Sequence, residues 1–256
     1  MAEQTQRPRK VLRLSGAEAR SFLQGLVTND IERLKDGAVY AALLTPQGKY
    51  LSDFFLVPDG AEAVLMDLPA AHAEAVAQRL RLYKLRAKVT IETTELGVER
   101  GLGPVPEGAF ADPRHPALGW RRYGPDLAET PRVAAMIEAA RIAQAVPEAD
   151  LELIPNDSYI LEAGFDRLNG VDFRKGCYVG QEIVARMKHK TELRKGLRPV
   201  SVSEPVPVGT PVLSAGKTAG TLYSQAEGLG LAFLRFDRIG PEMTAGPARV
   251  ELAAGD

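Results

Sequence analysis

The stretch Lys175-Gly176-Cys177-Tyr178-Val179-Gly180-Gln181-Glu182 sets the chain's one cysteine between two glycines, where a loop feeds a helix. Glycine accepts positive φ without a side-chain penalty, so the pair predicts a backbone that turns sharply or lies against another segment. From Gln181 onward the residues are helix formers, and Ile183, Val184 and Met187 fall on one face. Cys177 is therefore predicted just ahead of a helix N-terminus, where unpaired N–H groups and the macrodipole favour an anion. With Lys175 nearby, this is the environment that makes a thiolate available. The ordinary alternative is a small, buried, apolar cysteine.

One cysteine rules out an internal disulfide and predicts a reducing, cytoplasmic setting. Together with His72, His115 and His189 it offers no spacing that would hold a metal permanently. A net charge of −1 argues against a nucleic-acid binder that relies on bulk positive charge. No apolar run is long enough to cross a membrane. The opening Met1 to Lys10 lacks the apolar core of a signal peptide. With 256 residues, 45% of them hydrophobic, the chain has material for two unequal domains and predicts a monomer.

A mobile tail is predicted over 1–9, followed by a strand at Lys10 to Leu14. Ser15-Gly16-Ala17-Glu18 reads as a capping box for a helix carrying Ala19, Phe22, Leu23 and Leu26. Val39 to Leu44 and Tyr50 to Val57 read as strands joined by Thr45-Pro46-Gln47-Gly48, with a further strand at Ala63 to Asp67. Pro69 opens a helix over Ala70 to Leu82, and Lys88 to Thr93 is a strand. Glycine and proline break the chain over 101–116, which divides an α+β body spanning 10–194 into two subdomains. Thr130-Pro131 starts a helix to about Gln144, with Val133, Met136, Ile137 and Ala140 on its buried side. Short β-rich runs separated by turns over 195–256 predict a small C-terminal barrel.

Lys175 and Cys177 form the candidate catalytic pair. Tyr178 is read either as core or as a platform for a flat ligand. Gln181 and Glu182 either favour the helix dipole or bind a polar ring. Arg186 follows Glu182 by one turn, the spacing of an ordinary surface ion pair. Gln24 to Asp30, Asn29 included, is either a capped helix end or, with Leu44 to Lys49, the amide-rich lining of a cleft suited to a pterin edge. No phosphate-binding loop or hydrolase motif is present.

Lys-Gly-Cys-Tyr-x-Gly-Gln-Glu followed by Ala185-Arg186 resembles the signature of the YgfZ-type folate-binding proteins, relatives of the glycine-cleavage T-protein. The likeness extends to Phe22 through Asp30, the Leu44 to Lys49 turn, Leu82 to Arg86, and, more weakly, Leu118 to Arg121 and Leu231 to Arg235. It implies a T-protein-like body of α+β subdomains around a central cavity, with a six-stranded C-terminal barrel. It further implies tetrahydrofolate in that cavity, held by residues among Asn29, Gly176, Tyr178, Gly180, Gln181, Glu182 and Arg186. A role in iron–sulfur cluster maturation and tRNA modification, with client or assembly proteins as partners, follows from the same likeness. Where the T-protein carries its catalytic aspartate this chain reads Leu68-Pro69-Ala70-Ala71-His72, and the Tyr-Thr-Gly-Glu segment is missing near Trp120. The leading reading is thus a folate-dependent maturation factor with Cys177 as a reactive thiolate. A one-carbon transferase and a non-catalytic folate sensor or scaffold are the alternatives.

Overall fold

The computed structural model describes residues 7–253. Of the tail expected over 1–9, the part up to residue 6 lies outside the described residues, and Arg9 is already the first residue of a strand. Strands β1 (Arg9–Ser15), β2 (Val39–Leu44), β3 (Tyr50–Pro58), β4 (Ala63–Pro69) and β5 (Thr90–Thr93) form an antiparallel sheet in the order β2-β3-β4-β1-β5. Helices α1 (Ala19–Gln24) and α2 (Ala73–Lys84) belong to its first face. That face buries Leu12, Leu14, Val39, Ala41, Leu43, Phe54, Leu56, Val64 and Met66. Tyr40, Ala42, Leu44 and Phe55 alternate with them and enter a separate core on the second face. A strand buried on both sides reads as a continuous apolar run, which is why Val39-Tyr40-Ala41-Ala42-Leu43-Leu44 shows no alternation in sequence.

The second face is shared by two structures. A three-stranded sheet of β6 (Gly97–Gly101), β7 (Phe110–Ala111) and β8 (Trp120–Gly124), in the order β6-β8-β7, packs Val98, Phe110 and Tyr123 against Val11, Val57 and Leu65. The largely irregular segment from Val146 to Val171 packs on the rest, with Val184 of α4 (Gln181–Lys190). Between the body and the C-terminal unit lies α3 (Pro131–Ala143), capped by the Thr130 hydroxyl, which accepts from Val133 N–H at 3.4 Å.

The C-terminal unit is a closed six-stranded barrel of β9 (Lys195–Val202), β10 (Thr210–Ser214), β11 (Lys217–Ala226), β12 (Leu229–Arg235), β13 (Met243–Ala245) and β14 (Ala248–Leu252), in the order β10-β11-β12-β9-β14-β13. Its interior holds Val200, Val212, Leu222, Leu234 and Val250. Closure demands strong coiling. It is relieved at Gly220, where an added Cβ would lie 2.1 Å from the Phe233 carbonyl oxygen. The α+β body with a C-terminal barrel is the fold class expected from the sequence.

Two local expectations fail for identifiable reasons. Ser15 does not cap α1, because it is the last residue of β1, paired with Ala63 and Thr90. Glu18 is itself the cap residue, and its carboxylate accepts from Lys88 N–H instead. In α3, Met136 faces solvent while Ala134, Ile137, Arg141 and Ile142 are buried. The helix is turned by Arg141, whose guanidinium reaches Glu138, Glu152, the Val146 carbonyl and the Ser224 hydroxyl of the barrel. A buried charge satisfied on both sides of a junction outweighs one exposed methionine.

Candidate functional site

Cys177 is exposed, on a loop held down at both ends. On one side Lys175 is buried and its ammonium donates to the carbonyls of Gln24, Val27 and Asn29 at 2.8, 2.7 and 2.8 Å. On the other, Tyr178 is buried in the second-face core. Gly176 and Cys177 are the two exposed residues between these anchors. The loop then closes on Gly180, in the left-handed region at φ 84° as the residue before α4. A Cβ there would stand 2.6 Å from the Thr45 carbonyl oxygen, and one at Gly48 would stand 2.8 Å from Ile183 Cβ. The β2–β3 turn and the start of α4 therefore meet glycine to glycine.

The segment Gln24 to Asp30 completes the frame. The Thr28 hydroxyl donates to the Gly170 carbonyl at 2.6 Å and accepts from Ala42 N–H at 2.9 Å. The Asn29 amide donates to the carbonyls of Tyr40 and Asn169 at 2.8 and 2.6 Å, and its oxygen accepts from Asp30 N–H. Gln24 spends its amide on Asp30 and Ile31. The three segments singled out in the sequence thus converge, and their polar groups bond to one another to hold the cysteine loop. This corrects the expectation that they offer a pterin a free amide edge. Asn29 is buried and has both of its amide hydrogens in use.

Other expected contacts are corrected in the same way. Lys175 directs its ammonium at three carbonyls, so its role is to fix the loop. Glu182 and Arg186 pair with each other at 2.9 Å with side chains 84% and 57% exposed, an ordinary surface i, i+4 pair. Gly176 meets nothing within 4 Å of an added Cβ, so no close approach requires its glycine. Gln181 opens α4, its N–H bonded to the Tyr178 carbonyl at 3.2 Å.

Burial pushes the Lys175 ammonium down to about 8, against the opposing pull of Asp30 and Asp172. An unfolded lysine keeps its proton to about 10.5, so between these values the unfolded chain binds more protons and stability rises with pH. Denaturant midpoints across that window should rise less steeply for Lys175→Met than for the wild type. Equal slopes would show that the ammonium is not desolvated.

A second feature lies between the sheets, and sequence inspection did not find it. Period-two alternation sets Arg9, Asp53, Phe55 and Asp67 on one face of the five-stranded sheet, and Asp67 pairs in register with both Phe55 and Val11. Asp67 accepts from Arg9 at 2.7 Å, from Tyr123 at 3.0 Å and from Arg121. Asp112 accepts from Arg121 at 3.2 Å and, through a fork of 3.0 and 2.8 Å, from Arg114. Burial alone would raise the Asp112 carboxyl, but the Arg114 and Arg121 charges overcome it and hold it at about 2. The Arg121 guanidinium stands over the Phe55 ring, Cζ 3.2 Å from its centroid. Arg7, Arg9, Arg100, Arg114, Arg121, Asp53, Phe55, Glu138 and Glu148 line what space is left, about 20 Å³. None of the motif residues 175–186 is among them. A pterin does not fit: the cavity holds about one water, and both Asp53 oxygens already accept from the hydroxyls of Tyr40 and Tyr50.

Comparison with known proteins agrees with this architecture. Residues 194–255 match the family model described as CAF17, C-terminal beta-barrel domain. The human mitochondrial iron–sulfur cluster assembly factor IBA57 is 33% identical over 96% of this chain and 80% of its own length. Its mouse counterpart is 31% identical over 90% and 76%, and the Pyricularia oryzae homologue 30% over 90% and 70%. Among solved structures, aminomethyltransferase T of the Bartonella henselae glycine cleavage system superposes with a TM-score of 0.74 over 94% of this chain and 81% of its own, at 14% identity. At that identity the likeness speaks for the fold. The cytoplasmic setting expected from the sequence is overturned by the IBA57 relatives, which are mitochondrial proteins by name.

Proposed function

This chain belongs to the family of the iron–sulfur cluster assembly factor IBA57, and from that premise we propose that it is itself an iron–sulfur assembly factor working through Cys177. The observation that carries the reading is the presentation of the thiol. Two buried anchors, Lys175 and Tyr178, hold an otherwise unsupported Gly176-Cys177 pair out into solvent. An isolated structural cysteine is ordinarily buried, whereas a thiol meant for another molecule has to be reached.

One thiolate cannot house a cluster, for which four are usual. Cys177 would lose its proton to solvent and donate an electron pair to an iron of a cluster whose remaining ligands a partner or client protein supplies. The cluster is cargo here, and the partners are assembly or client proteins. Any effect on tRNA modification would follow from the cluster enzymes so matured. The one-carbon transfer alternative needs a carboxylate in place of the missing aspartate, and Asp67, the one that directly precedes Leu68-Pro69-Ala70-Ala71-His72, is sealed among Arg9, Arg121 and Tyr123.

Cys177→Ser, expressed in cells lacking the chain, should leave a cluster-dependent enzyme as inactive as no complementation at all. Its melting temperature should stay within about 1 °C of the wild type, because an exposed side chain contributes little to stability. Full restoration of the enzyme by Cys177→Ser would remove the assignment.

A further inference from the structure

A flat heterocycle in the central cavity would need an aromatic or apolar face to lie on and free acceptors at its edge. In this chain the face is taken, and one carboxylate is left as an acceptor. The Phe55 face is covered by the Arg121 guanidinium at 3.2 Å from the centroid, with Arg114 at 4.7 Å and Arg9 at 5.8 Å. Those guanidiniums cannot swing aside freely. Arg121 is tied to Asp67 and Asp112, Arg114 to Asp112, and Arg9 to both the side chain and the backbone oxygen of Asp67. Of the cavity's three carboxylates, Asp53 accepts from two tyrosine hydroxyls and Glu138 from the Arg141 guanidinium. Glu148 remains, held ionised by the surrounding arginine charge despite its burial.

We propose that the central cavity of this chain is an ionic core filled by its own side chains, in which the planar Arg121 guanidinium occupies the seat on Phe55 that a folate ring would need. The chain then works with no folate bound there. The claim is independent of what Cys177 does, since the cysteine loop contributes nothing to the cavity lining.

Calorimetric titration of the full-length protein with 5-formyltetrahydrofolate, an oxidation-stable reduced folate, tests it directly. No saturable binding is expected up to about 1 mM ligand. Micromolar binding to the wild type that Glu148→Gln weakens about tenfold or more would overturn the proposal. Binding that Glu148→Gln leaves unchanged places the ligand outside the cavity and upholds it. Arg121→Ala supplies a second readout: its lowered melting temperature should recover in millimolar ethylguanidinium, which refills the seat. Folded Arg121→Ala whose melting temperature ignores ethylguanidinium would also overturn the proposal. The wild-type titration stands even if that variant does not fold, and Cys177→Ser should behave as the wild type throughout, so failure of the cluster reading leaves this result untouched.

Discussion

Asp67→Ala should lower the folding free energy by about 3–5 kcal/mol, read from the denaturant midpoint. Asp67 is fully buried and is the shared acceptor of Arg9, Arg121 and Tyr123. Its removal leaves Arg121 with Asp112 alone and Arg9 with the backbone oxygen of residue 67 as its acceptor there, and under-compensated buried charge is what makes such truncations costly. The double variant Asp67→Leu with Arg121→Met should recover most of the loss, because replacing both members of a buried pair by apolar groups of similar size is often near neutral. A cost below about 1 kcal/mol for the single change would mean that the arginines relax into solvent and the core is not closed. Acid has a graded version of the same effect. Burial favours protonation of Asp67 and Asp112, but the neighbouring arginine charges win and hold both carboxyls below their ordinary range. Folded Asp112 titrates at about 2 against 3.8 unfolded, so its contribution is complete above 3.8 and is lost as pH falls towards 2.

Gly180→Ala is the second large effect. The residue sits at φ 84°, where a side chain costs about 1–2 kcal/mol. The new methyl would also press on the Thr45 carbonyl oxygen from 2.6 Å and on Gly48 Cα from 3.1 Å. Together these should cost roughly 3 kcal/mol and tilt the cysteine loop off the β2–β3 turn. The measurable consequences are a fall in melting temperature and a changed rate of Cys177 with a thiol reagent. Gly176→Ala is the control: its Cβ meets nothing within 4 Å, so it should stay within about 0.5 kcal/mol of the wild type. Equal effects at the two glycines would show that the packing against Thr45 is not what holds the loop.

Much of the body could be read from local chemistry. The β2–β3 hairpin and its turn, the start of α3 at Thr130-Pro131 and the glycine-rich barrel all follow from turn residues and apolar runs. The failures come from tertiary competition. Ser15 fits a capping box by spacing but is consumed by strand pairing, and α3 is oriented by Arg141 rather than by its count of apolar residues. The ionic core was hidden because Arg9, Arg100, Arg114 and Arg121 stand in separate segments, and each looks like a solvated surface arginine. The clues were Asp53 and Asp67, carboxylates inside the largely apolar strands Tyr50–Pro58 and Ala63–Pro69. At the site, the three segments stood out in sequence for good reason. Sequence could not say that their amides and hydroxyls face one another instead of a ligand, because that depends on which of two buried faces each residue joins.

The glycine seam beneath the cysteine loop limits how the thiol could ever be retuned. Gly48 and Gly180 have no side chain left to shorten, so a bulkier residue at one cannot be accommodated by trimming the other. Any redesign of the loop's reactivity must leave this seam alone and work on its outward rim, at the exposed Gly176.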